Sequence, residues 1–270
     1  MNFALITQID DEGILTYELM QRGVLARSRR CKNRNKHEYD VDMELSNNQK
    51  RWRCHECTNT YSVRKDSFFE NSNVKLLIWV QVIAFWSQEN TIRAIANNVD
   101  VSQPTVSEMV KGLREQCQAF LEDQPPLIGG PGNPVEIKIL KRCTAECDIV
   151  IVKQSDRDHG YLLHNKNGRY NNPESGKVVP VQPGGTVFTR HGFNLPENVA
   201  TSDDLVLYQG NANPERHAKD WIRKRHGIPC NKAGGFLGEY NFRFLYENDQ
   251  DEIGERFIAA LSRHYQGEFL

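Results

Sequence analysis

Residues 128–140 read I-G-G-P-G-N-P-V-E-I-K-I-L, a turn rich in glycine and proline followed by an apolar run that contains two charges. Successive side chains of a strand point to opposite faces of a sheet. A strand from Val135 to Leu140 therefore carries Glu136, Lys138 and Leu140 on one face. The other face carries only β-branched residues, which are Val135, Ile137 and Ile139.

This stretch resembles the entry to the catalytic domain of Merlin-type DNA transposases, which are eukaryotic relatives of a group of bacterial insertion-sequence transposases. Their motif is G-G-P-G, a short spacer and then V-E-I-D-E. Here Glu136 matches the first acid, Lys138 stands at the aspartate and Ile139 stands at the following glutamate. The resemblance is strong over residues 1–137, weak over 141–180, patchy over 183–232 and fair over 236–262.

The resemblance implies a ribonuclease-H-like domain that cuts and joins DNA with two Mg²⁺ ions held by acidic residues. The family's second strand matches G-G-T-V-F-T-R-H-G-F, residues 184–193, where Arg190 stands in place of an acid. Magnesium takes oxygen ligands, whereas a lysine ammonium only donates hydrogen bonds. With cations at Lys138 and Arg190, we expect a folded but inert site.

The third family residue, Glu or Asn, lies on a later helix, and two alignments remain open. In N-P-E-R, Asn213 is a typical N-cap and Pro214 a typical first helical residue, which places Glu215 in the first turn. Aligning Trp221 with the family's tryptophan places Ala218 there instead. The residual catalytic candidates are Glu136 and Glu215.

Composition limits the possible functions of this chain. It has 270 residues, 39% hydrophobic content and a formal net charge of −1, so nucleic-acid binding must come from local basic patches. An uninterrupted apolar run of about 18 residues, the minimum for a membrane span, is missing, and the N-terminus does not resemble a signal peptide. The seven cysteines are an odd number, which favours metal ligands in a reducing compartment over disulfides.

Three of the cysteines form a candidate zinc site with a histidine. Cys31 and His37 form C-x5-H, and Cys54 and Cys57 form C-x2-C, with strand-like sequence between the two pairs. Two such pairs can complete a tetrahedral Zn²⁺ site, which predicts a zinc ribbon. His55 is an alternative to His37, but it lies between two ligands, where the turn points it away. Before the ribbon, residues 10–24 predict a short helix with inward residues Ile14, Leu15 and Leu19, and with Tyr17 as a further candidate for the inward face.

Residues 73–114 have the pattern of a helix-turn-helix. Residues 73–88 are a strongly apolar helix, and a second helix ends in a turn at 98–101. Ser102 then caps a third helix, with Pro104 in its first turn. The expected DNA-contacting residues at the start of this helix and beyond are Gln103, Thr105, Ser107, Lys111 and Arg114. Arg64 and Lys65 are expected to add phosphate contacts.

These features predict a multi-part α+β protein. Residues 1–72 form an N-terminal helix and zinc ribbon, residues 73–124 the helix-turn-helix, and residues 125–270 a degenerate ribonuclease-H-like α/β domain. The favoured hypothesis is a nuclear, transposase-derived protein that binds double-stranded DNA, with structural Zn²⁺ and without catalysis. The resemblance implies that it works as a homo-oligomer. A zinc-ribbon adaptor that binds protein is one alternative. The other is an active Mg²⁺-dependent transposase that uses other acids among Glu136, Asp148, Asp156, Asp158, Asp203, Asp204 and Glu215.

Overall fold

The computed structural model shows an α+β protein. It describes residues 3–33, 35–46, 50–144, 147–154, 160–166, 181–189, 199–202, 213–225, 228, 232–245 and 253–266. The chain divides into two compact units, one of Met1–Leu113 with Asp249–Leu270 and one of Arg114–Asn248. None of the helices within these segments is both long and apolar enough to cross a membrane.

The two units group the chain differently from the ranges 1–72, 73–124 and 125–270. The long helix Gln103–Asp123 contributes its first half to one unit and its second half to the other. The last helix, Ile253–Gln266, belongs to the N-terminal unit. Its Phe257 packs edge-on against Phe68 and Trp86, with ring centroids 6.2 and 5.2 Å apart.

The N-terminal unit begins with two helices, α1 (Phe3–Ile6) and α2 (Glu12–Gln21). Leu15 and Leu19 of α2 are fully buried, as expected, but Ile14 and Tyr17 are 58% and 54% exposed, so their predicted inward position is wrong. At 3.6 residues per turn, the buried stripe through 15 and 19 leaves position 14 on the flank and position 17 on the far side.

The ribbon follows as two small antiparallel sheets. Strands β1 (Arg30–Cys31) and β2 (Val41–Asp42) form one pair. Strands β3 (Glu44–Leu45), β4 (Arg51–Arg53) and β5 (Thr60–Ser62) form the other sheet, with β4 in the centre. Trp52 is buried on one face of β4, and its neighbours Arg51 and Arg53 are exposed on the other.

The predicted helices of the N-terminal unit are present. Helix α3 spans Leu76–Ser87, α4 spans Ile92–Val99 and α5 spans Gln103–Asp123. Between α4 and α5, Asp100 adopts a left-handed conformation, and the Ser102 hydroxyl accepts a hydrogen bond from the Thr105 backbone N–H at 3.3 Å. The inward residues predicted for α5 are all buried: Val106, Met109, Val110 and Leu113.

The second unit is built on a five-stranded mixed sheet in the order β10-β9-β6-β7-β8. Strands β6 (Val135–Thr144), β7 (Cys147–Gln154) and β8 (Tyr161–Lys166) are antiparallel neighbours. On the other side of β6, β9 (Thr186–Phe188) runs parallel to β6, and β10 (Ala200–Ser202) runs parallel to β9. Arg190 lies outside the residues that the structure describes.

The predicted alternation along β6 is confirmed. Val135 and Ile137 belong to an apolar cluster with Val150 and Val152 of β7. Leu140, from the other face, packs with the cluster that includes Ile149, Ile151 and residues of α6 (Pro214–Lys224) and α7 (Ala233–Leu245). Glu136 and Lys138 therefore lie on the face that α6 and α7 cover.

The glycine-rich turn before β6 is required by the backbone. Gly129 has a φ of +79°, and a Cβ there would come within 2.4 Å of a methyl group of Val135. A side chain at this position is disfavoured both by conformation and by space. The G-G-P-G sequence therefore allows a tight turn directly before strand β6.

Candidate metal centre and charged cluster

The four predicted zinc ligands lie together in the ribbon. Their ligand atoms are all within 4.8 Å of one another, although the chain separates Cys31 from Cys57 by 26 residues. The Sγ atoms of Cys31 and Cys57 are 3.6 Å apart, and Cys54 Sγ is 3.9 Å from His37 Nε2. A tetrahedral ion with Zn–S bonds of about 2.3 Å has edges of about 3.8 Å. The donor set and its spacing thus fit a metal ion such as zinc.

Neighbouring groups orient these ligands. His37 Nδ1 lies 2.7 Å from the Tyr39 carbonyl oxygen, which only accepts, so Nδ1 carries the proton and Nε2 is available to a metal. Burial lowers the pKa of His37. The hydrogen bond to Tyr39 and the nearby Cys57 together raise this pKa by more than burial lowers it, so the net shift is upward. The side-chain amides of Asn33 and Asn59 approach two of the sulfurs, at 3.9 and 3.8 Å.

The turn between Cys54 and Cys57 explains why His37, and not His55, lies with the three cysteines. Thr58 has a φ of +58°, and its N–H donates to the Cys54 carbonyl at 3.1 Å. This tight turn leaves His55 exposed, whereas His37 is buried beside the sulfurs. Among the described residues, the group of Cys31, His37, Cys54 and Cys57 is the only set of three or more His, Cys, Asp or Glu side chains placed to hold a metal ion.

The candidate DNA-contacting residues at the start of α5 face in different directions. Gln103, Ser107 and Lys111 are exposed. Lys111 pairs with exposed Glu108 at 3.3 Å, a contact that solvent weakens. Thr105 is half-buried, and its hydroxyl lies 2.8 Å from that of Ser102, so it serves the helix N-terminus.

The predicted outward position of Arg114 is wrong. Its Nε donates to Glu239 at 2.7 Å, and its guanidinium lies 4.0 Å from the ring centre of Phe236. Glu239 is only 2% exposed and also pairs with Arg225 and Arg243. Arg114 therefore compensates a buried carboxylate. The sequence could not show this, because the two partners are 125 residues apart.

The phosphate contacts expected of Arg64 and Lys65 are also not favoured by their surroundings. Arg64 donates to the backbone carbonyls of Ser72 and Val74 at 2.8 and 2.6 Å, and burial lowers its pKa. Its side chain is only 16% exposed, so it closes a loop rather than facing solvent. Lys65 is more exposed but pairs with Asp66 at 3.3 Å.

Two exposed arginines of the ribbon, Arg51 and Arg53, are not among the predicted site residues. Residues 27–65 contain eleven Lys or Arg and five Asp or Glu, a formal charge of +6 within a chain of net charge −1. Arg51 and Arg53 project from the exposed face of β4, where Arg51 donates to the Thr60 hydroxyl at 3.2 Å. Within the described part of the chain, neither arginine forms an ion pair. The signal in the sequence was the alternation R-W-R around a buried tryptophan.

A second cluster, the charged cluster, consists of Glu136, Lys138, Lys153 and Glu215 in the second unit. Glu136 Oε1 lies 2.5 Å from Lys138 Nζ, and Glu136 Oε2 lies 2.6 Å from Lys153 Nζ. Lys153 stands directly opposite Glu136 on β7. The side chains of Glu136 and Lys153 are only 11% and 9% exposed. The residual acid candidate on β6 is thus bound by two ammonium groups.

Glu215 interacts with the same lysines from helix α6. Asn213 caps this helix as predicted, by accepting from the Arg216 N–H at 3.0 Å. The Lys219 hydrogen bond, opposed by burial and aided by the charges of Lys153 and Lys138, holds the pKa of Glu215 below its usual value. The alternative residue Ala218 is fully buried in the apolar cluster.

The structure does not describe the side chains of the other acids proposed for an active enzyme. Asp156, Asp158, Asp203 and Asp204 lie outside the described residues, and the side chain of Asp148 is not described. Comparisons with family models, curated proteins and solved structures give no match.

Proposed function

We propose that this chain is a transposase-derived, double-stranded-DNA-binding protein of the nucleus that lacks strand-cutting chemistry. The observation that carries the proposal is that Lys138, which stands at the aspartate of the resembled family's motif, and Lys153 both pair with Glu136, at 2.5 and 2.6 Å. Ammonium groups accept no metal bond, so this arrangement disfavours Mg²⁺. Self-association is a further part of the proposal and rests on the resemblance alone.

The sheet supports a ribonuclease-H-like assignment of the second unit. Three antiparallel strands, β6 to β8, are extended on the β6 side by two strands parallel to β6, in the order β10-β9-β6-β7-β8. This is the strand order expected of a ribonuclease-H-like sheet. It places Glu136 on the central strand, and α6 brings Glu215 to the same face.

The pair α4 and α5 supports DNA reading. The two helices are joined by a short turn, and the first residues of α5 include exposed Gln103 and Ser107. The N-terminal residues of a recognition helix contact base edges in the major groove. Glutamine is suited to adenine because it can donate and accept at once. We assign Lys111, one turn further on, to a phosphate contact.

The ribbon supports the proposed binding to DNA phosphates. Its small size also suggests that a bound ion stabilises its fold. Arg51 and Arg53 are exposed on β4, in a segment of formal charge +6, and such patches give DNA affinity that falls with salt. The ribbon's strands are only two or three residues long. We infer that zinc at Cys31, His37, Cys54 and Cys57 is structural, because so small a unit has little core of its own.

The test is a paired assay on zinc-loaded protein. Binding to a pool of random-sequence duplexes is measured beside cleavage and strand transfer of the same DNA with Mg²⁺ or Mn²⁺. We expect salt-dependent binding that Gln103→Ala alters in sequence preference, and no cleavage. Metal-dependent cleavage would overturn the loss of catalysis. Absence of DNA binding by the folded, zinc-loaded protein would instead favour an adaptor that binds protein.

A further inference from the structure

We propose that Lys138 and Lys153 together form an internal replacement for a bound divalent cation, and that both must be removed before the charged cluster accepts a metal ion. The inference rests on the proposed transposase origin for the choice of metal. Its readout is cation binding by DNA-free protein, so it can fail or succeed independently of DNA binding.

The first step is the arrangement of charge around Glu136. One ammonium lies 2.5 Å from Oε1 and the other 2.6 Å from Oε2, so each carboxylate oxygen already has a cationic partner. A divalent ion bound to either oxygen at about 2.1 Å would lie close to an ammonium of like charge. The two ammonium groups therefore repel Mg²⁺ from both carboxylate oxygens of Glu136.

The second step is the difference between the two lysines. The Lys138 side chain is 43% exposed, whereas that of Lys153 is 9% exposed. A lysine so buried is tolerated only when it is paired, and its register opposite Glu136 supplies the partner. Replacing Lys138 alone therefore leaves Glu136 neutralised by the more deeply buried cation. The resemblance identified only Lys138, and the cross-strand pairing adds Lys153.

The third step is the presence of a second acid. Glu215 interacts with both Lys138 and Lys153 from the first turn of α6. With Lys153 replaced and Lys138→Asp in place, β6 would carry two carboxylates, and Glu215 of α6 would add a third, which are the oxygen ligands that Mg²⁺ and Mn²⁺ require. The chain thus retains acidic residues that could bind a metal ion, but Lys138 and Lys153 stand where the ion would lie.

The experiment titrates Mn²⁺ into zinc-loaded protein and follows free Mn²⁺ by electron paramagnetic resonance. The variants are wild type, Lys138→Asp, Lys138→Asp/Lys153→Gln and the matched double variant Lys138→Asp/Lys153→Arg, which keeps the buried cation. We expect a gain in Mn²⁺ affinity of about tenfold or more in the Gln double variant alone. Adding Glu136→Gln to that variant should abolish the gain.

Two outcomes would overturn the inference. Mn²⁺ binding by wild type that Glu136→Gln removes would show that the lysines do not exclude the metal. Binding by Lys138→Asp alone, as tight as that of the Gln double variant, would show that Lys153 has no part in exclusion. If the Gln double variant fails to fold, as judged by circular dichroism, Lys138→Ala/Lys153→Met, which also removes both cations, is titrated instead. It should bind Mn²⁺ more tightly than wild type, and equal binding would contradict the proposal.

Discussion

The ribbon centre and the charged cluster each gather anionic groups into a small volume, and they neutralise them differently. In the described part of the ribbon, the neutral amides of Asn33 and Asn59 approach the sulfurs, and the four ligands are spaced to fit an external cation. In the sheet, Lys138 and Lys153 supply the positive charge from within the chain. One unit should therefore need a metal ion to fold, and the other should not.

The largest expected effect comes from removing a ribbon ligand. Cys54→Ser should abolish zinc binding and unfold the ribbon, because a structural zinc ion contributes about 10 kcal/mol or more to the folding of so small a unit. Zinc content per chain and the near-ultraviolet circular dichroism of buried Trp52 measure the loss. The matched pair is His37→Ala, which should behave like Cys54→Ser, and His55→Ala, which should keep full zinc content. Loss of zinc in His55→Ala would contradict the assignment.

Breaking the ion pair between Glu136 and Lys153 should have the next largest effect on stability. This effect should not depend on a metal ion. Glu136→Gln leaves Lys153 buried without its carboxylate partner, which is expected to cost about 3 kcal/mol in the free energy of unfolding. Urea unfolding with and without Mg²⁺ measures both points. Lys219→Met, which breaks the more exposed Lys219–Glu215 pair, should cost less than about 1 kcal/mol. A wild-type unfolding curve that shifts with Mg²⁺ would contradict the contrast between the two units.

The sequence allowed the ribbon centre to be predicted more fully than the charged cluster, for a physical reason. C-x2-C and strand alternation are local patterns, so Cys54, Cys57 and the faces of β6 follow from spacing alone. Lys153 meets Glu136 only through the register of β6 on β7. Arg114 meets Glu239 across 125 residues. The direction of a long charged side chain depends on such distant partners, which explains why Arg64 and Arg114 were expected to face solvent.

Lowering the pH should disrupt the ribbon centre before it disrupts the charged cluster. The pKa of His37 is raised, so protons compete with a metal ion for Nε2 while the pH is still well above the carboxylate range. The pKa of Glu215 is lowered from 4.5, so its contribution to stability is complete above 4.5 and disappears only as pH falls through the lower folded value. Zinc release, followed with a chromogenic chelator, should therefore precede unfolding of the second unit. Simultaneous loss of both signals would contradict this order.

The smallest expected effect concerns exposed arginines of the ribbon and of α6, and whether an acidic partner leaves them free to bind DNA phosphates. On the ribbon, Arg51 and Arg53 are exposed without an ion pair among the described residues, whereas the exposed Arg216 and Arg223 of α6 pair with Asp220.

Arg51→Ala/Arg53→Ala should therefore weaken duplex binding by about tenfold at moderate salt and reduce the salt dependence by about two counterions. Arg216→Ala/Arg223→Ala changes the net charge equally but should leave affinity within about twofold, because the nearby Asp220 offsets part of the charge of the two arginines. Fluorescence anisotropy across a salt series measures both variants, with Arg51→Lys/Arg53→Lys as a charge-preserving control. Equal losses in the two alanine variants would indicate a response to net charge alone. A selective loss in the ribbon variant would locate phosphate binding at Arg51 and Arg53, because these two exposed arginines form no ion pair among the described residues and their charge stays available to DNA.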